Sequence, residues 1–149
     1  MLKEGAPFPE FELQDQDGHV VTNADLKGQK TVIYFYPKDD TPGCTVEACE
    51  FRDLAPLYSG ARVIGISPDT PKSHTKFIGK FNLNFTLLAD KDHALAEACG
   101  IWVEKSMYGK KYMGVERSTF LLDDGGRIAK IWRKVKPDGH AQDVASALG

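Results

Sequence analysis

Two cysteines, Cys44 and Cys49, lie five positions apart in this chain, directly after the loop-like segment 36–43. A cysteine in the first turn of a helix lies near backbone N–H groups without intrahelical partners and near the positive end of the helix dipole. That environment favours the thiolate, which is the nucleophilic form of the side chain. The sequence therefore predicts a reactive thiol at Cys44, and Cys49 supplies a second thiol that can react with it after oxidation.

These cysteines need a strand before them and a helix around them. Residues 31–36 are β-branched and aromatic on both faces, which predicts a central strand covered on both sides and stopped by Pro37. A helix is predicted over residues 44–58, bent or ended early by Pro56. Its predicted apolar positions are Val46, Cys49, Leu54 and Leu57.

The rest of the chain alternates strand and helix patterns and predicts an α/β fold. An N-terminal β-hairpin is expected around the turn 15–18 and a second hairpin around the turn 123–126. The other expected elements are strands at 61–67 and 85–88 and helices after Thr70, over 92–98 and over 139–148. Together they predict one domain over residues 1–149, with a central mixed sheet and helices on both faces.

Composition restricts the class of protein. The net charge of −2 comes from interspersed acidic and basic residues, so we expect neither nucleic acid nor an anionic membrane as a partner. The N-terminus lacks a signal peptide pattern and no run of ~18 apolar residues occurs, which predicts a soluble cytoplasmic protein. In that compartment thiols stay mostly reduced, so a close cysteine pair is more often catalytic or metal-binding than structural.

One motif carries a resemblance to a known family. Pro37, Thr41 and Cys44 follow the strand in a Pro-x-x-x-Thr-x-x-Cys pattern, and Arg117 opens a later Arg-Ser-Thr-Phe segment. This combination resembles the peroxiredoxin active site. The Cys-x-x-x-x-Cys spacing resembles the subfamily of bacterioferritin comigratory protein, or PrxQ. The resemblance implies a thioredoxin-like fold, thiol-dependent peroxidase activity without a metal or organic cofactor, and thioredoxin or a similar dithiol such as glutaredoxin as reductant.

The residues suggest how a hydroperoxide substrate would be bound and reduced. The Thr41 hydroxyl, the N–H groups of Gly43 and Cys44, and the Arg117 guanidinium are candidates for binding it and for stabilising the charge on its departing oxygen. Pro37 would shield the oxidised sulfur by its shape. Two of the motif residues also have an ordinary interpretation. Thr41 could be a helix N-cap and nothing more, and a lone arginine such as Arg117 is usually a solvated strand residue.

Glu47, three residues after Cys44, has two interpretations. Acidic residues in the first turn are common because they interact well with the helix dipole. A role in tuning the helix terminus or in moving protons is the alternative.

Helix geometry constrains the second step. Sulfenic acid at Cys44 can condense with a nearby thiol, and Cys49 is the candidate resolving cysteine. In an ideal helix, residues five apart have Cα atoms roughly 8.7 Å apart, beyond the ~7 Å limit for a disulfide. We therefore expect the helix around Cys44 and Cys49 to unwind before the bond closes.

The remaining cysteine, the histidines and several aromatic residues have weaker signals. Cys99 is expected to be a small buried hydrophobe rather than a second resolving thiol. The four histidines lack metal-ligand spacing, so zinc is not expected, and His140 is expected to be structural. The exposed aromatics Trp102, Tyr108 and Tyr112 suggest a mobile loop that contacts substrate or reductant, with simple packing as the alternative.

Two other classes of function remain open on the sequence. A reactive cysteine pair also suits a dithiol oxidoreductase or a redox-regulated binding module, although the usual two-residue spacing between the cysteines is absent. A non-catalytic scaffold with a static disulfide is the other alternative. Nothing in the pattern requires a partner subunit, so a monomer is expected.

Overall fold

The structure is a computed structural model that describes residues 2–58 and 60–148. Its strands are β1 (Glu12–Asp15), β2 (Val20–Thr22), β3 (Lys30–Phe35), β4 (Ala61–Ser67), β5 (Thr86–Ala89), β6 (Trp102–Met107), β7 (Lys110–Val115), β8 (Ser118–Leu122) and β9 (Ile128–Trp132). Its α-helices are α1 (Pro42–Asp53), α2 (Pro71–Phe81), α3 (Ala94–Ala98) and α4 (His140–Leu148). Short 3₁₀ helices occupy Asn23–Leu26 and Ala55–Tyr58.

Seven strands form one mixed sheet in the order β2-β1-β5-β4-β3-β8-β9. Strands β3, β4 and β5 are parallel neighbours, and the contacts of β1 with β5 and of β3 with β8 are antiparallel. The predicted mixed sheet and N-terminal hairpin are thereby confirmed. Residues 31–36 are at most 1% exposed, which confirms that β3 is a central strand covered on both faces.

One apolar cluster lies on each face of the sheet. The first contains Phe8, Phe120 and the side chains around α3, including Cys99. The second packs α1, α2 and α4 against the sheet and contains Cys44. Helices on both faces of a mixed sheet confirm the α/β class. Within the described residues, no helix is both long and apolar enough to cross a membrane.

The helix that carries the cysteines differs from its predicted form. α1 begins at Pro42, two residues before the predicted start, and ends at Asp53. The expected early end is confirmed, because Pro56 lies in a separate 3₁₀ turn. A proline disfavours the helical conformation of the residue before it. The predicted apolar face was wrong. The buried residues are Cys44, Glu47, Ala48 and Phe51, whereas Val46 and Leu57 are 43% and 51% exposed.

Residues 102–115 form a β-hairpin rather than the predicted loop. β6 and β7 pair with each other outside the main sheet, with Tyr108 and Gly109 at the turn. Trp102 is half-buried and its ring stacks on His93 at a centroid distance of 3.9 Å, so packing is its role in this structure. Tyr108 is 98% exposed, as expected from the sequence.

Candidate active site

Cys44 lies in the first turn of α1, at the end of the loop that follows β3. Pro42 occupies the first helical position, where its fixed φ suits a helix and its missing N–H is not needed. The first intrahelical bond joins the Thr45 N–H to the Thr41 carbonyl oxygen at 2.8 Å. The N–H groups of Gly43 and Cys44 are therefore among those left without intrahelical partners. The Cys44 side chain is directed into the protein and the residue is 1% exposed.

Arg117 contacts this thiol from the other side of the site. It lies just before β8, and its Nη2 is 3.4 Å from Cys44 Sγ. Its Nη1 donates to Glu47 Oε1 at 2.7 Å. The Arg117 side chain is 14% exposed, so it is not the solvated strand residue that a lone arginine usually is. One planar guanidinium therefore binds both a sulfur and a carboxylate on the same helix.

Glu47 is the group that the sequence interpretation placed wrongly. It lies in the second turn of α1, not the first, and its side chain is fully buried. Burial raises the pKa of Glu47 to about 7, although the Arg117 guanidinium opposes this by favouring the carboxylate. Oε2 has no hydrogen-bond partner among the described residues. Glu47 is thus a buried carboxyl that changes charge close to neutral pH.

Thr41 lies at the N-cap position of α1, but its side chain makes no capping hydrogen bond. Its hydroxyl donates instead to the Lys38 carbonyl oxygen at 2.9 Å. With the proton used in this way, the hydroxyl oxygen is left to accept a hydrogen bond. In this geometry the Thr41 oxygen can accept the O–H of a hydroperoxide. The sequence interpretation instead had the Thr41 hydroxyl donate to the departing oxygen, but its proton is already donated to Lys38.

Gly43 sits where two other side chains approach closely. A Cβ at this position would lie 3.3 Å from Pro137 Cγ and 3.4 Å from Arg117 Nη2. Pro137, which no sequence pattern had indicated, therefore covers the first turn of α1. Pro37, on the loop before Thr41, is half-buried.

The three cysteines are all free thiols in the structure. Cys49 is half-buried and lies in α1 together with Cys44. The condition for the unwinding hypothesis is thereby met, since both residues are helical in the reduced state. For an ideal helix their Cα separation is roughly 8.7 Å, too long for a disulfide.

Cys99 lies on the opposite face of the sheet and is 1% exposed. Burial, with a smaller contribution from the nearby Asp90 carboxylate, raises the pKa of Cys99 to about 12. Almost no thiolate forms there at neutral pH, so the expected role as a small hydrophobe agrees with the environment of this residue.

His140 begins α4 and is buried beside the site. Its Nε2 lies 2.7 Å from Thr119 Oγ1. Burial lowers the pKa of His140 to about 4, so the ring is neutral at physiological pH. A neutral, packed imidazole that is hydrogen-bonded to a strand hydroxyl agrees with the expected structural role.

Comparisons with known proteins identify the family. The model of the AhpC/TSA family matches residues 5–131. The chain belongs to this family. It is 49% identical to peroxiredoxin Bcp of Bacillus subtilis over 149 residues, which covers 99% of this chain and 95% of the relative. This peroxiredoxin is thus similar to the Bcp, or PrxQ, proteins that its sequence resembles.

Solved structures agree with that assignment. The peroxiredoxin matches a mutant PrxQ from Xylella fastidiosa with a TM-score of 0.93 and 38% identity, covering 99% of this chain and 96% of the other. It also matches the bacterioferritin comigratory protein of Xanthomonas campestris, studied for alkyl peroxide reduction in trapped intermediate and ligand complexes. That match has a TM-score of 0.87 and 45% identity, covering 93% of this chain and 89% of the other. The predicted thioredoxin-like fold and peroxiredoxin class are confirmed, and the chain is a thiol peroxidase.

Proposed function

We propose that Cys44 is the peroxidatic cysteine and that it reduces hydrogen peroxide and organic hydroperoxides. The observation that carries this proposal is the 3.4 Å contact between Arg117 Nη2 and Cys44 Sγ at the N-terminus of α1. The Arg117 guanidinium and the N–H groups of Gly43 and Cys44 place hydrogen-bond donors at the end of α1 where the attacking sulfur lies. The alkyl peroxide reduction activity of the Xanthomonas campestris relative supports organic hydroperoxides as substrates.

The first step transfers one oxygen atom to sulfur. The Cys44 thiolate attacks the terminal oxygen of the hydroperoxide, an S–O bond forms and the O–O bond breaks. The electron pair of that bond leaves with the alkoxide, which takes a proton and departs as alcohol, or as water from hydrogen peroxide. Sulfur is oxidised by two electrons and becomes a sulfenic acid.

The residues around Cys44 have complementary roles in that step. The hydroxyl oxygen of Thr41 accepts the hydroperoxide O–H and so orients the attacked oxygen. Arg117 and the N–H groups of Gly43 and Cys44 donate to the oxygen that becomes negative, and each such preorganised donor is worth roughly 3 to 4 kcal/mol. Pro37 shields the sulfenic acid from water by its shape.

Cys49 is the resolving cysteine in this proposal. Its thiol attacks the Cys44 sulfenic sulfur, an S–S bond forms and water leaves. Because an intact helix holds the two Cα atoms too far apart, α1 unwinds locally before this bond closes. A dithiol of the thioredoxin or glutaredoxin class then reduces the disulfide and allows α1 to fold again.

The proposed setting is antioxidant defence by a single-domain cytoplasmic monomer over residues 1–149. Nothing in the sequence pattern requires a partner subunit, so we propose a monomer as the active unit. No metal, organic cofactor, nucleic acid or membrane takes part in this scheme.

The test is peroxide consumption coupled to thioredoxin, thioredoxin reductase and NADPH. Cys44→Ser should abolish turnover, while Cys49→Ser should complete one peroxide reduction but lose recycling by thioredoxin. Cys99→Ala is the matched control and should recycle as the wild type does. Peroxide consumption that persists in Cys44→Ser would overturn the assignment of the peroxidatic residue, and recycling that persists in Cys49→Ser would overturn that of the resolving residue.

A further inference from the structure

A buried polar cluster lies beside the active-site loop and takes no part in the chemistry described above. It consists of Tyr36, Asp39, Ser67, Asp69, Ser73 and His74, and is called the Asp39 cluster below. Asp39 belongs to the loop between β3 and α1, two residues before Thr41. The residue is 7% exposed although it carries a carboxylate. Burying a carboxylate costs free energy unless its oxygens are hydrogen-bonded, so Asp39 is expected to have donors around it.

Both oxygens of the Asp39 carboxylate are hydrogen-bonded to side chains. The Tyr36 hydroxyl donates to Oδ1 at 2.5 Å, and the Ser73 hydroxyl donates to Oδ2 at 2.7 Å. Nδ1 of His74, a fully buried residue, also lies 2.7 Å from Oδ2. Burial, with smaller effects of Tyr34 and Asp39, raises the pKa of Tyr36 well above its usual value, so this phenol remains a donor. Three separate groups therefore fix the position of one carboxylate.

The cluster continues into the rest of the sheet. The other ring nitrogen of His74, Nε2, donates to the Leu88 carbonyl oxygen of β5 at 2.9 Å. The Asp39 backbone N–H donates to Asp69 Oδ2 at 2.8 Å, and the Ser67 hydroxyl donates to the same oxygen at 2.6 Å. These contacts lie on β4, β5 and α2 and on the loop between β4 and α2. None of them lies on α1.

Asp39, Asp69 and His74 are close enough together to suggest a cation site. The hydrogen bonds argue against that interpretation. Nδ1 of His74 faces Asp39 Oδ2 at hydrogen-bond distance, and the oxygen of Asp69 that faces the cluster already accepts two donors. The atoms that would bind a metal are used to hold the loop.

One residue of the loop held in this way has an uncommon backbone conformation. Asp40 has φ of 57°, in the left-handed region, although it is not glycine. A strained residue of this kind persists only where the surrounding structure fixes it, and it is often found at functional sites. The Asp40 side chain forms an exposed ion pair with Lys80, and such a pair contributes little to stability. The strained residue thus lies between the buried Asp39 and the substrate-contacting Thr41.

We propose that Asp39 is a positioning residue, which holds the loop 37–41 so that Thr41 and the first turn of α1 are correctly placed for peroxide reduction. This inference rests on the proposed function of Cys44 and Thr41. Asp39 acts through the loop and does not touch the substrate. Because none of the hydrogen bonds of the Asp39 cluster described above is made to α1, they can stay formed while α1 unwinds, and the loop remains in place for α1 to fold back.

The test measures the second-order rate constant of the peroxide step in a single turnover, well below the thermal unfolding transition of each variant. Asp39→Ala should slow the step about tenfold or more, because misplacement of a catalytic group by 1 Å can cost about 100-fold. Asp39→Asn should recover most of the rate, since its amide oxygen accepts from Tyr36 and its NH₂ group, in the place of Oδ2, can donate to Ser73 Oγ and to His74 Nδ1 when His74 carries its proton on Nε2.

A matched control separates positioning from general stability. Asp90 is also a buried carboxylate, 1% exposed, and its oxygens accept from the backbone N–H groups of Leu95 and Ala96 in α3. Asp90→Ala should lower the thermal stability but leave the rate constant of the peroxide step within about twofold, because its partners lie in α3, outside the loop 37–41. If Asp39→Ala does not fold, Tyr36→Phe removes the hydroxyl that donates to Asp39 Oδ1 and should slow the step severalfold.

Two results would overturn the inference. The first is a rate constant within twofold of the wild type in folded Asp39→Ala, or in Tyr36→Phe if Asp39→Ala does not fold. The second is equal slowing by Asp39→Ala and Asp90→Ala. A failure of the proposed function is distinguishable, because in that case the wild type and Cys44→Ser would react alike with peroxide in the same assay.

Discussion

Replacing Glu47 by Gln tests whether the buried carboxyl beside Arg117 titrates near neutral pH. Glu47 is fully buried in α1, and burial raises its pKa from 4.5 to about 7. Gln has nearly the same shape as protonated Glu and its amide oxygen still accepts from Arg117 Nη1. The substitution therefore removes the charge change and keeps the packing.

The sign of the effect follows from proton binding. Between pH 4.5 and pH 7 the folded protein holds a proton on Glu47 that the unfolded chain has released, so the stability of the wild type falls as the pH rises through this interval. At about 1.4 kcal/mol per pKa unit, the full shift corresponds to about 3 kcal/mol. Glu47→Gln should match the wild type near pH 4.5 and exceed it by about 3 kcal/mol in unfolding free energy at pH 8.

A second group has the opposite effect in part of the same interval. The pKa of His140 is lowered from 6.5 to about 4, chiefly by burial, so the folded state binds fewer protons than the unfolded chain between these values. This contribution raises stability as the pH rises from 4 to 6.5. In the wild type the two effects oppose each other and the profile should be shallow. Without Glu47, the rise due to His140 should become visible.

The assay is urea unfolding of reduced protein at a series of pH values from 4 to 8.5, analysed as the difference between variant and wild type. The exposed Glu10 provides a control, because Glu10→Gln should leave the pH profile of the wild type unchanged. Parallel profiles for Glu47→Gln and the wild type over the whole range would refute the assignment of a near-neutral pKa to Glu47.

Three further substitutions test the site. Arg117→Lys should slow the peroxide step about 100-fold in stopped-flow measurements. The lysine ammonium lacks the planar fork of donors of a guanidinium, and a lost donor costs roughly 3 kcal/mol. A rate within threefold of the wild type would contradict the role of Arg117. Gly43→Ala should slow the same step severalfold, since the new methyl group would lie 3.3 Å from Pro137 Cγ and 3.4 Å from Arg117 Nη2; an unchanged rate would show that this contact is not important. Cys99→Ala should lower the unfolding free energy in urea by about 1 kcal/mol through loss of buried volume, with unchanged peroxidase activity; loss of activity would contradict a purely structural Cys99.

The sequence was most informative where local patterns determine structure. The apolar run of β3, the start of the helix predicted at residue 44 and both predicted hairpins depend on neighbouring residues. The structure has all of them, with the helix beginning two residues earlier than predicted. The motif residues Cys44 and Arg117 lie in contact although 73 positions separate them in the chain. That contact followed from the family resemblance, because no local pattern specifies it.

The remaining features depend on contacts between distant segments. In the sequence, Glu47 looks like an acidic residue on the exposed face of a helix. Only the structure shows that Glu47 is buried and that Arg117, from a distant segment, donates a hydrogen bond to it. Asp39 resembles an ordinary loop residue until α2 brings His74 against it. The β6–β7 hairpin was missed because it carries exposed aromatic and lysine residues on a two-stranded sheet, where few positions are buried and the alternating pattern is weak.

The central claim is that Cys44 and Cys49 join only after α1 unwinds. Amide hydrogen exchange, read by mass spectrometry in the reduced form and in the form with the Cys44–Cys49 disulfide, tests it most directly. We expect peptides from the first two turns of α1 to be protected in the reduced form and to exchange almost like an unfolded chain in the disulfide form, while α2 remains protected in both. A disulfide form in which the amides of residues 44–49 keep the protection of the reduced enzyme would contradict the claim.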